Sequence, residues 1–220
     1  MWFDWLVVYD DHARDGAALN MAIDEALLES SNTPVLRFYG WARPALSFGY
    51  FGKYADVSSE AGTRELVRRW TGGGIVPHGD DLTYSLVTPA SQPAFAQGPR
   101  AIYAALHIAM REALRSENLE AELATAAAPK VSDACYENPV RDDLLIAGRK
   151  IAGAAQRRTR TGFLQQGSIQ LAQLSLVFRE RFARALSPAI ERREIPAAVR
   201  ARAAELARRK YATDEWLRRC

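Results

Sequence analysis

The chain has 220 residues, 48% of them hydrophobic and 25% charged, with a formal net charge of +3. That length supports one substantial domain with its own core, and the balance is that of a soluble globular chain. No apolar run approaches the roughly 18 residues of a membrane helix, and the first residues, MWFDWLVVYDD, carry no basic leader or small-residue cleavage site.

The opening WFDWLVVYD is rich in aromatic and β-branched residues and is predicted to be a strand. ALNMAIDEALLES follows with Leu19, Ala22, Ile23, Ala26 and Leu27 at helical spacing, and Asn32-Thr33-Pro34 ends that helix. VLRFYGW and ALSFGYFG are two further strands, parted by Ala42-Arg43-Pro44. ELVRRW runs into the glycine turn TGGG, and IVPHGDDLTYSLVTP has the pattern strand, turn, strand. A long amphipathic helix is predicted from Gln97 to Asn118, carried by Ile102, Leu106, Ala109, Met110 and Ala113. AELATAAAPKVSD starts as a short strand and becomes a loop, while DLLIAG, KIAGAAQR and FLQQGSIQL are three more strands.

The remainder, about residues 174–220, is predicted to be helical, with joints at Pro188 and Pro196. These helices cap a single domain spanning 1–220. Their basic residues alternate with Glu and Ala, the pattern of a solvated helix face rather than a nucleic-acid site. Such a basic face also steers acidic protein partners. Strands and helices mix without regular βαβ alternation, so the fold class is α+β with a largely antiparallel or mixed sheet flanked by helices.

Two stretches carry chemistry. In RRWTGGGIVPHGDDLTYSL, three consecutive glycines let a ligand approach the main chain closely, and successive N–H groups in such a turn form an anion-binding nest. Arg68, Arg69 and His78 flank the turn, which matches neither the phosphate loop nor the dinucleotide fingerprint and is equally compatible with a tight turn. In ACYENPVRDDLLIAGRKIAGAAQRR, Cys135 lies in a polar segment where a nearby cation would make it a nucleophile. Cys220 is the only other cysteine, so there is no disulfide framework, and a reducing cytoplasm is the expected compartment. Lys150 opens a strand whose Ala152, Gly153, Ala154 and Ala155 leave room for something long and apolar. On chemistry alone these residues describe an acyl or carboxylate site. They leave open an acyl-transferring enzyme, an ATP-using ligase or a binder.

DGAALNMAIDEALLE, PVLRFYGWARPALSFGYF, RRWTGGGIVPHGDDLTYSL, GRKIAGAAQRR, FLQQGSI and KYATDEW occur in an order that resembles the catalytic domain shared by lipoate–protein ligases and octanoyl/lipoyl transferases. The resemblance covers nearly the whole chain. It implies a fold akin to the biotin–protein ligases and a medium-length acyl chain delivered to a lysine of a lipoyl-carrier domain. By the same resemblance Arg69, Thr71, Gly72, Gly73, Gly74 and His78 line the acyl or acyl-adenylate pocket, with Gly153, Ala154 and Gly167 along the chain. Lys150 falls on the lysine that touches the activated carbonyl, where an ammonium stabilises the oxyanion formed on attack.

Within that family the run from Cys135 to Lys150 is similar to the cysteine-dependent octanoyltransferases, in which a loop cysteine takes octanoate from acyl carrier protein. The acceptor implied is the glycine-cleavage H protein or an E2 lipoyl domain, and the protein is expected to be a monomer needing no metal on this route. DDLTYS is also similar to that branch, and the chain ends after KYATDEWLRRC with no accessory domain expected. The triple glycine instead resembles the ligases, which use ATP and Mg. Gln166 stands where the family commonly has histidine, and Arg141-Asp142 replaces a serine-aromatic pair. An ATP-dependent lipoate ligase and a non-catalytic acyl-binding protein are the alternatives.

Overall fold

The computed structural model describes residues 1–127 and 139–219. The chain begins with strand β1 (Trp5–Asp15) and helix α1 (Ala17–Ser30), then strands β2 (Val35–Trp41), β3 (Ala45–Phe48), β4 (Glu65–Arg68), β5 (Val76–His78) and β6 (Leu82–Pro89). Helix α2 (Pro99–Leu114) leads to a short β7 (Glu122–Leu123), then β8 (Leu144–Ile146), β9 (Arg149–Arg158) and β10 (Gly162–Ile169). Helix α3 (Leu176–Leu186), strand β11 (Ala189–Arg192) and helices α4 (Ala197–Leu206) and α5 (Asp214–Leu217) complete it.

Eight strands form one mixed sheet in the order β11-β1-β2-β6-β10-β9-β8-β7, and β4-β3-β5 form a small second sheet. β1 runs parallel to both β11 and β2, while the pairings from β2 to β7 are antiparallel. Each face of the large sheet buries its own apolar layer, as a sheet with alternating side chains must. One layer joins α2 and α3 through Leu106, Met110, Phe178 and Phe182; the other joins α1 and α4 through Ile23, Leu27, Val199 and Leu206.

The expected helix 174–220 needs a correction, because Pro188 and Pro196 bracket a strand. Ala189–Arg192 adds to the edge of the sheet beside β1, with Trp5 opposite Ala189 and Val8 opposite Arg192. A prolyl joint at each end favours extended backbone over helix. The expected helix over Gln97–Asn118 is α2 followed by a single 3₁₀ turn, closed where Asn118 takes φ 58°.

Two local features aim the site. The β8–β9 hairpin turns on Ala147 and Gly148, at φ 49° and 74°, the paired positive angles of a type I′ turn. That tight turn makes Lys150 the second residue of β9, opposite Leu145. The second feature is the approach of two loops, since a Cβ at Gly49 would collide with the backbone of Gly72 and Gly73. The hydrogen bond from Tyr50 N to the Thr71 carbonyl, 2.8 Å, holds the glycine loop against that segment.

Candidate active site

Between α1, the large sheet and the small sheet lies a narrow cavity that opens to solvent. Its floor is made of β10 (Gln166, Gly167, Ser168) and β9 (Gly153, Ala154, Ala155), and its walls of Met21, Tyr39, Trp41 and Val76. Gly167 lines the cavity and also leaves space on β10 for the Tyr84 ring, which a Cβ there would strike. Small residues on two adjacent strands thus make a smooth, largely apolar trough.

Lys150 lies beside Gly153, which lines that trough. Its side chain is buried and its Nζ lies 2.8 Å from the Asp143 carboxylate. Asp143 also accepts the Val140 N–H at 2.7 Å and the Tyr103 hydroxyl. Burial, then the Asp143 charge, raise the Tyr103 hydroxyl far above its ordinary range, so it remains a donor. A Cβ at Gly153 would lie 2.7 Å from the Lys150 Cε and 2.9 Å from its Nζ. Glycine at 153 is therefore what lets the lysine tip fold over its own strand.

Arg69 organises the glycine loop. Its Nη2 donates to the carbonyls of Gly72 (3.1 Å) and Gly74 (2.7 Å), and its Nη1 to Ser47 Oγ at 2.6 Å. Gly73 takes φ 87°, a left-handed angle that suits glycine. Arg69, Gly73, His78, Gly153, Ala154 and Gly167 line the cavity. Thr71, Gly72 and Gly74 flank it, and Thr71 Oγ1 donates to Gln166 Oε1 at 2.8 Å. Cys135 and Cys220 lie outside the described residues.

Gln166 has a structural task. Its Nε2 donates to Asp24 Oδ2 at 2.7 Å, and Asp24 also pairs with Arg37 at 2.9 Å. Tyr39 and Ser85 donate to the same carboxylate, and Asp11 completes the Arg37 pair from the far side at 2.7 Å. Every member is buried, and removing one partner of such a network costs about 3–5 kcal/mol.

Sequence reasoning missed Ser47, Asp81, Tyr103 and Asp143. Ser47 Oγ lies 2.7 Å from His78 Nε2, and His78 Nδ1 lies 2.8 Å from Asp81 Oδ2. The spacing His-x-x-Asp at 78–81 and the Asp directly before LLIAG were the available signals. Among the described residues no three His, Cys, Asp or Glu side chains converge to hold a metal ion, and no helix is long and apolar enough to cross a membrane.

Residues 16–214 match the lipoyl protein ligase A/B catalytic domain, and the chain belongs to that family. It is 40% identical over 171 residues to the octanoyltransferase LipM of Oceanobacillus iheyensis, a match covering 74% of this chain but only 63% of that protein's length. The octanoyltransferase LipM of Geobacillus kaustophilus is 32% identical over 259 residues, 90% of this chain and 93% of that protein. In fold the chain is similar to lipoate-protein ligase A in a crystal structure bound with ATP (TM-score 0.75, 23% identity, 99% and 98% of the two chains). It is also similar to the bipartite lipoate protein ligase of Thermoplasma acidophilum, described with its E2 lipoyl domain (TM-score 0.71, 22% identity, 98% and 96%).

Proposed function

We propose that this protein is an acyltransferase of lipoate metabolism, moving an octanoyl or lipoyl group from acyl carrier protein to a lysine of an H protein or E2 lipoyl domain. The observation that carries the reading is Lys150, held by Asp143 beside Gly153, which with other small residues floors the trough. The octanoyltransferases at 32–40% identity supply the reaction class.

In the first step Cys135 attacks the donor thioester. A new C–S bond forms, the bond to the carrier sulfur breaks, and the carrier leaves as its thiol. Lys150 supports the carbonyl oxygen while it carries negative charge, an electrostatic effect that counts for more in a water-poor site than in bulk solvent. In the second step the acceptor amine attacks the acyl-cysteine, forming an amide and returning the thiol. Gly153, Ala154 and Gly167 offer the alkyl chain a smooth bed, with burial of each methylene contributing about 0.8 kcal/mol.

A ligase reading, in which octanoate or lipoate is first activated by MgATP, draws on the triple glycine and on the ATP-bound fold neighbour. One assay separates the two. A purified E2 lipoyl domain is offered with octanoyl-acyl carrier protein alone or with octanoate plus MgATP. The transferase reading expects acylation from the first donor without nucleotide, and acylation confined to the second would reject it.

A further inference from the structure

Ser47, His78 and Asp81 make a chain of hydrogen bonds that begins in the acyl trough and ends outside it. Ser47, buried on β3, lines the trough beside Arg69. His78 lines the trough and also a separate open groove bounded by Pro44, Arg64, Pro77 and Gln170, and Asp81 lines that same groove. The two links, 2.7 Å and 2.8 Å, therefore cross the wall between the trough and the exterior.

The donor and acceptor assignments follow from what each group can do. Asp81 Oδ2 accepts from Thr83 Oγ1 at 3.0 Å and Ser168 Oγ at 2.6 Å, and Asp81 Oδ1 accepts from Gly79 N at 3.0 Å. Burial by itself would raise this carboxyl, but His78 together with Ser168 and Gly79 brings it below the ordinary value, so it is ionised. His78 Nδ1 then donates to it, and Nε2 is left to accept from the Ser47 hydroxyl. Ser47 Oγ has two lone pairs. Arg69 Nη1 takes one at 2.6 Å, and one is left for a substrate in the trough.

The imidazole is held for this task. Trp41 stacks on it with centroids 4.0 Å apart and planes 22° apart, and Trp41 is itself fixed through Nε1 to Thr83 Oγ1 at 2.8 Å. Burial first, then the charges of Arg69 and Arg64, lower its basicity, while Asp81 opposes them. Arg64 bonds the His78 carbonyl at 3.2 Å from the groove side.

We propose that Ser47, His78 and Asp81 form the proton exit for amide formation, taking the proton that the acceptor lysine sheds when it attacks the acyl group. The proposal rests on the acyl-transfer reading above and assigns it a base. At neutral pH the acceptor arrives as an ammonium. Attack on the acyl-cysteine forms the C–N bond and breaks the C–S bond, the product is an amide plus a thiol, and one proton must leave. The ammonium N–H gives its proton to Ser47 Oγ as the Ser47 proton passes to His78 Nε2. The imidazolium stands against ionised Asp81 and releases its extra proton to the groove. Arg69 disfavours a second cation beside it, which favours the neutral amine. Ser47 is the catalytic contact, and His78 and Asp81 act through it.

The test is single-turnover transfer from the octanoyl-loaded enzyme to a purified E2 lipoyl domain, run from pH 6 to pH 10, for wild type, Ser47→Ala, Ser47→Thr and Asp81→Asn. Ser47→Ala, once loaded with octanoate, should transfer it about 10²-fold more slowly than wild type at pH 7, the lower range for general-base catalysis. Its rate should then rise about tenfold per pH unit until bulk hydroxide replaces the relay. Asp81→Asn should show the same profile, and Ser47→Thr, which keeps the hydroxyl, should recover most of the wild-type rate at pH 7. A Ser47→Ala profile parallel to wild type would overturn the proposal. If wild type does not load from acyl carrier protein, the transferase reading has failed instead. The same pH series with octanoyl-adenylate as donor then judges the relay by the same criteria.

Discussion

Gly153→Ala isolates the placement of Lys150 from its charge. Gly153 is absent from the positive-φ positions of the chain, so its β9 backbone accepts alanine without strain. The new methyl would meet Cε at 2.7 Å, Nζ at 2.9 Å and Asp143 Oδ1 at 3.8 Å. To regain van der Waals contact the Cε must retreat by about 0.7 Å, and because a lysine tip bends more easily than a strand, the side chain yields. That movement pulls Nζ away from the 2.8 Å contact with Asp143 and from the carbonyl proposed for it. Overpacking of this kind costs about 1–3 kcal/mol of stability, whereas a misplacement approaching 1 Å costs about 10²-fold in rate. Single-turnover octanoyl transfer to a lipoyl domain, read beside thermal unfolding, should show a folded protein with roughly a hundredth of the activity. A Gly153→Ala protein within twofold of wild type would refute the role given to Lys150.

Two further predictions concern the buried polar groups. Gln166→Glu sets a carboxylate where an amide now donates to Asp24 at 2.7 Å; at pH 7 urea unfolding should show a loss of about 3–5 kcal/mol. The new carboxyl is raised in the folded state, so the folded protein holds the extra proton, and the loss should shrink towards pH 5. His107, whose Nδ1 bonds the Asp142 carbonyl at 2.6 Å while Nε2 has no partner among the described residues, is lowered to about 4 by burial. Its folded value lies below the unfolded 6.5, so its contribution is complete above pH 6.5 and is lost as pH falls towards 4. The loss amounts to about 3 kcal/mol. His107→Asn should flatten that part of the stability profile, and an unchanged slope would contradict the assignment.

Much of this architecture was legible because the elements obey simple periodicities. α1, α2 and the strands up to β10, apart from β4, follow from apolar spacing and from proline and glycine punctuation. β11 was not legible. It is four residues long, pairs with β1 alone, and is only partly buried, so AIER carries no strong alternation. Leu19 was expected in the buried face of α1, yet the deepest positions include Asn20 and Asp24, which serve Arg37 from β2. A single helix cannot announce that a charge on a neighbouring strand awaits it. The site divides in the same way. Lys150, Gly153 and the glycine loop stood out by composition, whereas Asp143, Ser47 and Asp81 acquire meaning only through contacts 7, 31 and 3 positions distant. Gln166, a departure from the pattern the chain resembles, closes a buried network between Thr71 and Asp24.

The most direct test of the central claim is the intact mass of the protein after incubation with octanoyl-acyl carrier protein, for wild type and Cys135→Ala. The account predicts a single octanoyl adduct on wild type, released by neutral hydroxylamine as a thioester is, and none on the variant. No adduct on wild type, or an equal adduct on Cys135→Ala, would contradict it.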